Sequence, residues 1–320
     1  MISVSNSEIQ TWLGCRRRWY LTYYRELGLK PELENPTGVR NLGARIHAAL
    51  QAFYERSADP IAAIDEIYED EFTICTFRGR DDMIIKLQEE QDLAHAMLEG
   101  YLQWIAEEAI DAGYVIISSE EIIEVPSGIP GVNLRGVVDL QRQRLADGAV
   151  EFVDFKTTAS FEQLRKTLGI DPQSKHYHLI LKLHLDQLRQ QGIDSDGRWR
   201  IDGATYRLLR RVKRTASAVP PFYEELPVRH NAEIIHSAWV EIHAILAEIV
   251  RARAALDAGQ DHHYWAPKHV TRECTYLCDF LDACPLFDDG SNVELFLSEY
   301  YQHRDPHERY HRDQEKEKAE

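Results

Sequence analysis

The stretches "GVVDL" (residues 136–140) and "EFVDFKTT" (residues 151–158) decide the predicted fold. Both are rich in β-branched and aromatic residues, and the turn sequence "RLADGAV" between them predicts two antiparallel strands. Side chains two positions apart on a strand share a face of the sheet. Asp154 and Lys156 should therefore project together, while Val153 and Phe155 face the other side. Asp139 is expected on the neighbouring strand, close to both.

The two carboxylates and the lysine are a candidate hydrolytic site. Two carboxylates that converge are costly to keep charged unless a divalent cation lies between them. A lysine beside them can orient or deprotonate a water and can offset the negative charge that develops on a phosphorane. Either fragment alone is more often a pair of solvated charges at a strand end. Together, Asp139, Asp154 and Lys156 predict metal-assisted hydrolysis of a phosphodiester.

The periodicity of the remaining chain predicts an α/β fold. Residues 1–112 are mostly helical, residues 113–215 contain strands and a helix over 172–191, and residues 216–302 contain a helix over 232–258 and a group of cysteines. We expect residues 1–302 to form a single domain, because no long linker interrupts them. Residues 303–320, "HRDPHERYHRDQEKEKAE", are expected to be a charged, flexible tail.

Composition limits the possible functions of the protein. A net charge of -16 argues against a protein that coats nucleic acid indiscriminately, but "CRRRWY" (15–20) and "RLLRRVKRT" (207–215) leave room for a local basic channel. The N-terminus lacks the pattern of a signal peptide, and no apolar run is long enough to span a membrane. We therefore expect a cytoplasmic protein with no membrane partner, whose five cysteines are metal ligands or buried thiols and not disulfides.

Two further motifs complete a family pattern. "GARIHAAL" (43–50) matches G-x-x-x-H, and "QSKHY" (173–177) matches Q-x-x-x-Y. With "GVVDL" and "DFKTT", the chain resembles the RecB-like branch of the PD-(D/E)xK nuclease superfamily, which implies a restriction-endonuclease-like fold with a central mixed sheet flanked by helices. The resemblance implies that the catalytic residues are Asp139, Asp154, Lys156, Gln173 and Tyr177. It implies that Mg²⁺ or Mn²⁺ is held by His47, Asp139, Asp154 and Phe155.

Four cysteines predict a second metal centre. Cys274, Cys278 and Cys284 lie within "ECTYLCDFLDACPLF", and Cys15 lies near the N-terminus. Four thiolates suit one [4Fe-4S] cluster or a structural zinc ion equally well. The spacing resembles that of CRISPR-associated RecB-like exonucleases and the AddB-type nuclease domain, which implies a [4Fe-4S] cluster that fastens the helical N-terminal region to the C-terminus. The first gap here is three residues, where the family usually has two. Cys75 is expected to be a buried thiol.

The resemblance implies a metal-dependent DNA exonuclease that acts on single-stranded ends. The process served would be DNA recombination, repair, phage replication or CRISPR spacer acquisition. The chain has no G-x-x-x-x-G-K-S/T phosphate loop, so ATP-driven unwinding would come from a partner such as a helicase, a recombination protein or a CRISPR adaptation protein. The alternatives are an iron-sulfur module for DNA binding or complex assembly and a structure-specific endonuclease.

Several polar residues are given no role in the predicted site. Strand alternation lets only one of Glu120 and Glu121 face the site, and we expect both at an exposed strand edge. His176, His178 and His184 are expected on a helix surface.

Overall fold

A computed structural model describes residues 1–193 and 199–307 of the chain. Residues 308–320, most of the predicted tail, lie outside the described residues. The secondary structure elements, in chain order, are β1 (Ile2–Ser5), α1 (Asn6–Gly14), α2 (Arg16–Trp19), β2 (Leu27–Leu29), α3 (Val39–Arg56), α4 (Pro60–Phe77), α5 (Asp81–Glu107), β3 (Tyr114–Pro126), β4 (Val132–Arg144), β5 (Val150–Thr158), α6 (Phe161–Thr167), α7 (Pro172–Gln190), β6 (Ile201–Arg210), β7 (Tyr223–Val228), α8 (Ala232–Asp257), α9 (His262–Trp265), α10 (Cys274–Leu277), α11 (Val293–Tyr300) and β8 (Tyr301–His303).

The chain divides into two compact units. The first, which we call the terminal unit, contains Met1–Glu34, Pro126–Arg135 and the chain from Trp239 onwards. The second, the sheet unit, contains Asn35–Val125 and Gly136–Ala238. No helix within residues 1–193 and 199–307 has the length and apolar character that crossing a membrane requires.

A mixed sheet is the centre of the sheet unit. Strand β4 pairs with β3 on one side and antiparallel with β5 on the other; β5 is parallel to β6, and β6 is antiparallel to β7. The predicted central mixed sheet flanked by helices is confirmed.

The two faces of β5 follow the predicted alternation. Val153 and Phe155 join a buried cluster with apolar side chains of α3, α4 and α5, among them Ile46, Tyr68 and Leu98. Their burial leaves the intervening residues, Asp154 and Lys156, on the opposite face of the strand. The burial of Val153 and Phe155 thus anchors β5, and it determines that Asp154 and Lys156 point toward the opposite face of the sheet.

Helix α7 is buried on more than one side. Tyr177 and Ile180 lie against Gly136 of β4, and the ring of His178 lies 6.1 Å from that of His230. His176 is only 1% exposed and His178 8%. The expectation that these two histidines lie on a helix surface is therefore wrong, because neighbouring elements cover faces of the helix that an amphipathic pattern would leave to solvent.

The terminal unit has its own core. Trp12 and Trp19 are buried and pack edge to face with their ring centroids 4.7 Å apart. The Trp19 indole N–H donates to buried Glu8, whose carboxylate also pairs with Arg253 at 3.1 Å. These tryptophans are therefore core residues that stabilise the terminal unit.

Segments from the two ends of the chain meet within the terminal unit. Strands β2 and β8 pair antiparallel, with Leu27 opposite His303 and Leu29 opposite Tyr301. A buried apolar cluster lies nearby, formed by Leu21, Phe280, Ala283, Leu297 and Tyr301. Backbone pairing and apolar packing thus join the two ends independently of any metal.

Candidate functional site

Helix α3 brings His47 to the end of the sheet that carries the predicted catalytic residues. Gly43 lies one helical turn earlier, where an added Cβ would be 3.3 Å from Thr157 Oγ1, so glycine lets the helix approach β5 closely. His47 Nε2 lies 2.8 Å from the Phe155 carbonyl oxygen. If Nε2–H donates to this carbonyl, Nδ1 is the ring atom that faces the neighbouring carboxylates. It lies 3.3 Å from Asp139 Oδ2 and 3.8 Å from Glu120 Oε1.

Asp139 is held in place by the adjoining strand. The residue is 7% exposed, and its Oδ2 accepts a hydrogen bond of 2.9 Å from the Phe155 backbone N–H. The main chain of Phe155 therefore orients two side chains of the site at once, Asp139 through its N–H and His47 through its carbonyl. This contact gives Phe155, which the resemblance includes among the metal-binding residues, a defined position beside them.

Glu120 is the site residue that the sequence reasoning missed. Its backbone has φ +48°, the left-handed region that residues other than glycine rarely adopt, so the regular alternation of β3 is broken there. Its side chain is only 18% exposed and faces His47, while Glu121 accepts a hydrogen bond from Gln141. The expectation of an exposed strand edge is therefore wrong for Glu120. Nothing in "ISSEEIIE" signals a positive φ at this glutamate.

Lys156 links the strand carboxylates to α7. Its Nζ lies 2.6 Å from Asp154 Oδ2 and donates to Gln173 Oε1 at 2.7 Å. Gln173 Nε2 in turn donates to the Tyr177 hydroxyl at 3.1 Å, as their separation of one helical turn allows. Four of the five predicted catalytic residues, Asp154, Lys156, Gln173 and Tyr177, thus form one connected set.

The buried charges shift one another's pKa. Burial, together with the charge of Asp139, raises the pKa of Asp154 to about 6 despite the opposing effect of Lys156. Burial would also raise the pKa of Asp139, but His47, Lys156 and the Phe155 N–H outweigh it and the pKa is lowered. Burial disfavours the charged form of Lys156, yet the two aspartates raise its pKa. The site therefore holds two buried carboxylates that repel each other, and the positive charge of Lys156 acts on both.

The donor set fits a divalent cation. One ligand atom from each of His47, Glu120 and Asp139 lies within 4.8 Å of the other two. Asp154 is outside that group, but it is 2% exposed and neither of its carboxylate oxygens has a hydrogen-bond donor of good geometry among the described residues. Carboxylate oxygens with one imidazole suit Mg²⁺ or Mn²⁺. A cation near Asp139 and Asp154 would remove the repulsion between them.

The four predicted cysteine ligands meet in the terminal unit. Cys15, Cys274, Cys278 and Cys284 all line one cavity of about 180 Å³, together with Arg18 and Leu281 among others. Two backbone N–H groups point at sulfur: that of His269 lies 3.4 Å from Cys15 Sγ, and that of Thr271 lies 3.4 Å from Cys274 Sγ. Burial raises the pKa of the Cys278 thiol. Cys75 does not line this cavity and is 2% exposed in the core of the sheet unit.

Comparison with known proteins agrees with this geometry. The family model of the PD-(D/E)XK nuclease superfamily matches residues 3–285, which include both the buried carboxylates and the four clustered cysteines. No curated protein matches the chain significantly. Since the matched segment covers most of its 320 residues, the chain belongs to the PD-(D/E)XK nuclease superfamily.

Proposed function

We propose that the protein is a metal-dependent DNA exonuclease that degrades DNA from single-stranded ends. Membership of the superfamily makes it a nuclease, with DNA as the substrate and a divalent metal as the cofactor. The observation that carries the hydrolytic role is the connected set of Asp154, Lys156, Gln173 and Tyr177 beside Asp139 and His47. The preference for single-stranded ends rests on the RecB-like motifs.

Each residue of the site has its own proposed role in hydrolysis. A bound Mg²⁺ or Mn²⁺ would supply Lewis-acid polarisation of the phosphate and lower the pKa of a water. The cation would be held by His47, Glu120, Asp139 and Asp154. The Phe155 main chain would orient His47 and Asp139 toward it. Lys156 orients the attacking water and offsets the charge that develops on the phosphate. Gln173 and Tyr177 position Lys156 through the hydrogen bonds described above.

Linear and circular DNA distinguish the proposal from its rivals. An exonuclease should degrade end-labelled linear single strands with Mg²⁺ or Mn²⁺, release label at once, and spare circular single-stranded DNA. A structure-specific endonuclease would cut the circle or a branched duplex, and a DNA-binding or assembly module would retain both substrates intact. Cleavage of the circle at the same rate as the linear strand would contradict the exonuclease assignment.

We also propose that the cysteine cavity holds a [4Fe-4S] cluster with a structural role. Four thiolates around a cavity of about 180 Å³, with two backbone N–H groups directed at sulfur, support such a site. Protein purified without oxygen should be brown and contain about four iron atoms per chain. Cys15→Ala should bleach it, whereas the matched variant Cys75→Ala should keep the colour. Stoichiometric zinc without iron would contradict the cluster.

The biological setting is part of the same proposal. A nuclease without a phosphate loop of its own fits a cytoplasmic complex in which a helicase, a recombination protein or a CRISPR adaptation protein supplies unwinding or delivers DNA ends. Recombination, repair, phage replication and spacer acquisition all generate such ends.

A further inference from the structure

The sequence "RLLRRVKRT" (207–215) divides into two parts with different roles. Arg207 is 0% exposed and is paired inside the sheet unit with Asp111 and Glu225. The cations that follow lie at and beyond the end of β6, where the chain leaves the sheet. We call Arg210, Arg211, Lys213 and Arg214 the basic loop.

Among the residues that the structure describes, the basic loop has no carboxylate partner. Within residues 1–193 and 199–307, none of its four side chains forms an ion pair; Arg210 donates to the Val219 carbonyl, and Arg214 donates to the Tyr223 hydroxyl. Arg211 Nε and Arg214 Nη1 are buried and have no hydrogen-bond partner among the described residues. Burial lowers the pKa of Arg211, as expected for a guanidinium without a nearby countercharge. These two nitrogen atoms are shielded from solvent, and the Arg214 guanidinium stacks on Phe222 with its Cζ 3.7 Å from the ring centroid. An external anion can therefore reach the exposed Lys213 and the partly exposed parts of Arg210 and Arg211.

A shortage of acidic groups does not explain these unpaired cations. The chain has 53 acidic residues against 37 lysines and arginines. Several half-exposed and exposed arginines elsewhere do have carboxylate partners, as in the pairs Arg16–Glu248, Arg25–Glu294, Arg144–Asp147, Arg200–Asp147 and Arg304–Glu34. The two carboxylates on β7 are engaged with other arginines: Glu224 with Arg165, and Glu225 with Arg142 and Arg207. Within the described part of the chain, the basic loop therefore lacks a countercharge although the protein as a whole is acidic.

The basic loop begins beside the catalytic strand. In the parallel pairing of β5 with β6, Lys156 is opposite Leu208 and Thr158 is opposite Arg210. The Arg211 backbone N–H donates to the Thr158 carbonyl at 2.7 Å. At about 3.3 Å per residue, the first two arginines of the loop lie only about 7 to 10 Å along the sheet from Lys156. Arg210 is the last residue of β6, and Arg211 follows it just beyond the strand.

We propose that the basic loop binds the phosphodiester backbone of the DNA strand being cut, at phosphates next to the scissile one. This inference rests on the proposed nuclease function and names the surface that holds its substrate. Guanidinium groups suit phosphate oxygens because their planar set of N–H donors can make paired, charge-assisted hydrogen bonds. The contacts are to phosphates only, so they add affinity and register without base specificity.

The test measures DNA binding separately from hydrolysis. A short fluorescein-labelled single strand is titrated in EDTA at several salt concentrations, with fluorescence anisotropy as the readout. For single strands, the logarithm of the affinity falls with the logarithm of the salt concentration, and each phosphate contact adds about 0.7 to the slope of this plot. The double variant Arg211→Gln/Lys213→Gln should therefore reduce the slope by about 1.4. The affinity at low salt should fall at least about tenfold.

A matched variant controls for the loss of net charge. Arg144→Gln/Arg200→Gln also removes two positive charges, from side chains that pair with Asp147 at the opposite end of β5 and β6. It should keep the wild-type slope. If Arg211→Gln impairs folding, Lys213→Gln alone, which changes an exposed side chain, should still reduce the slope by about 0.7.

The possible outcomes separate this inference from the proposed function. A wild-type slope in Arg211→Gln/Lys213→Gln, or an equal loss in Arg144→Gln/Arg200→Gln, would overturn the role of the basic loop while the wild-type protein still hydrolyses DNA. Absence of hydrolysis by the wild-type protein with Mg²⁺ and Mn²⁺ would instead contradict the nuclease proposal.

Discussion

Gly136→Ala tests how closely α7 must approach β4 for the active site to form. Gly136 begins "GVVDL" on β4, and a Cβ there would lie 2.5 Å from Ile180 Cδ1 and 3.0 Å from Tyr177 Cε1. Carbon atoms are in favourable contact at about 3.5 to 4.0 Å, so the new methyl group overlaps Ile180 by about 1 Å and Tyr177 by about 0.5 Å. The φ of Gly136 is not in the left-handed region, so the perturbation is one of volume alone.

The expected cost follows from how freely each neighbour can move. The end of the Ile180 side chain can rotate away, but the Tyr177 ring is fixed by Gln173 and packs edge to face against Phe152 at 5.8 Å. Overpacking of this kind lowers the free energy of unfolding by about 1 to 3 kcal/mol. A displacement of Tyr177 also disturbs the Gln173 contact that positions Lys156, so hydrolysis at saturating DNA should fall about tenfold to a hundredfold.

Urea unfolding and initial rates of hydrolysis measure the two effects of Gly136→Ala. Gly169→Ala is the control, because nothing lies within 4 Å of its added Cβ and its stability should change by less than about 1 kcal/mol. Adding Ile180→Val to Gly136→Ala removes the closest atom and should recover part of the stability but little of the rate. If Gly136→Ala were as stable and active as Gly169→Ala, the packing described for α7 on β4 would be wrong.

Three further predictions follow from individual residues. Glu120→Gln should weaken Mn²⁺ binding at least about tenfold by calorimetric titration, since it removes a charged ligand, whereas Glu121→Gln should leave it unchanged; equal affinities would exclude Glu120 from the metal site. Burial lowers the pKa of His178 to about 4, so the unfolded chain takes up its proton first on acidification. As the pH falls from about 6.5 to about 4, His178 should therefore lower the free energy of unfolding by up to about 3 kcal/mol. Urea unfolding of His178→Asn should show a pH dependence that is smaller by this amount, and a pH dependence equal to that of the wild-type protein would refute the prediction. Gln173→Ala should lower the rate of hydrolysis but leave Mn²⁺ affinity intact, and loss of the metal would show that its role is misassigned.

The local patterns that predict the fold are those in which burial and periodicity agree. In "EFVDFKTT", Val153 and Phe155 enter the apolar core, which leaves Asp154 and Lys156 on the opposite face. The helix predicted over 172–191 extends from Pro172 to Gln190, and its Gln173 and Tyr177 are joined by a hydrogen bond. Here the backbone geometry alone determines which side chains meet.

Features that depend on tertiary contacts could not be predicted from local patterns. Glu120 reaches the site through a left-handed backbone conformation, which no strand pattern indicates for a glutamate. His176 and His178 are buried because other elements cover α7, a fact that their sequence spacing does not contain. The run "RLLRRVKRT" is uniformly basic in sequence. In the described structure, however, Arg207 is buried and paired with Asp111, whereas the basic loop at and beyond the end of β6 has no carboxylate partner.

Hydrolysis of end-labelled linear single-stranded DNA by wild-type protein and Asp154→Asn, each with Mn²⁺ and with EDTA, tests the central claim most directly. Asp154 is the buried carboxylate that contacts Lys156, and asparagine keeps its size while removing its charge. We predict Mn²⁺-dependent release of label by the wild-type protein, and none in EDTA or by a folded Asp154→Asn variant. Near wild-type release by Asp154→Asn would contradict the assignment of this site as the catalytic centre.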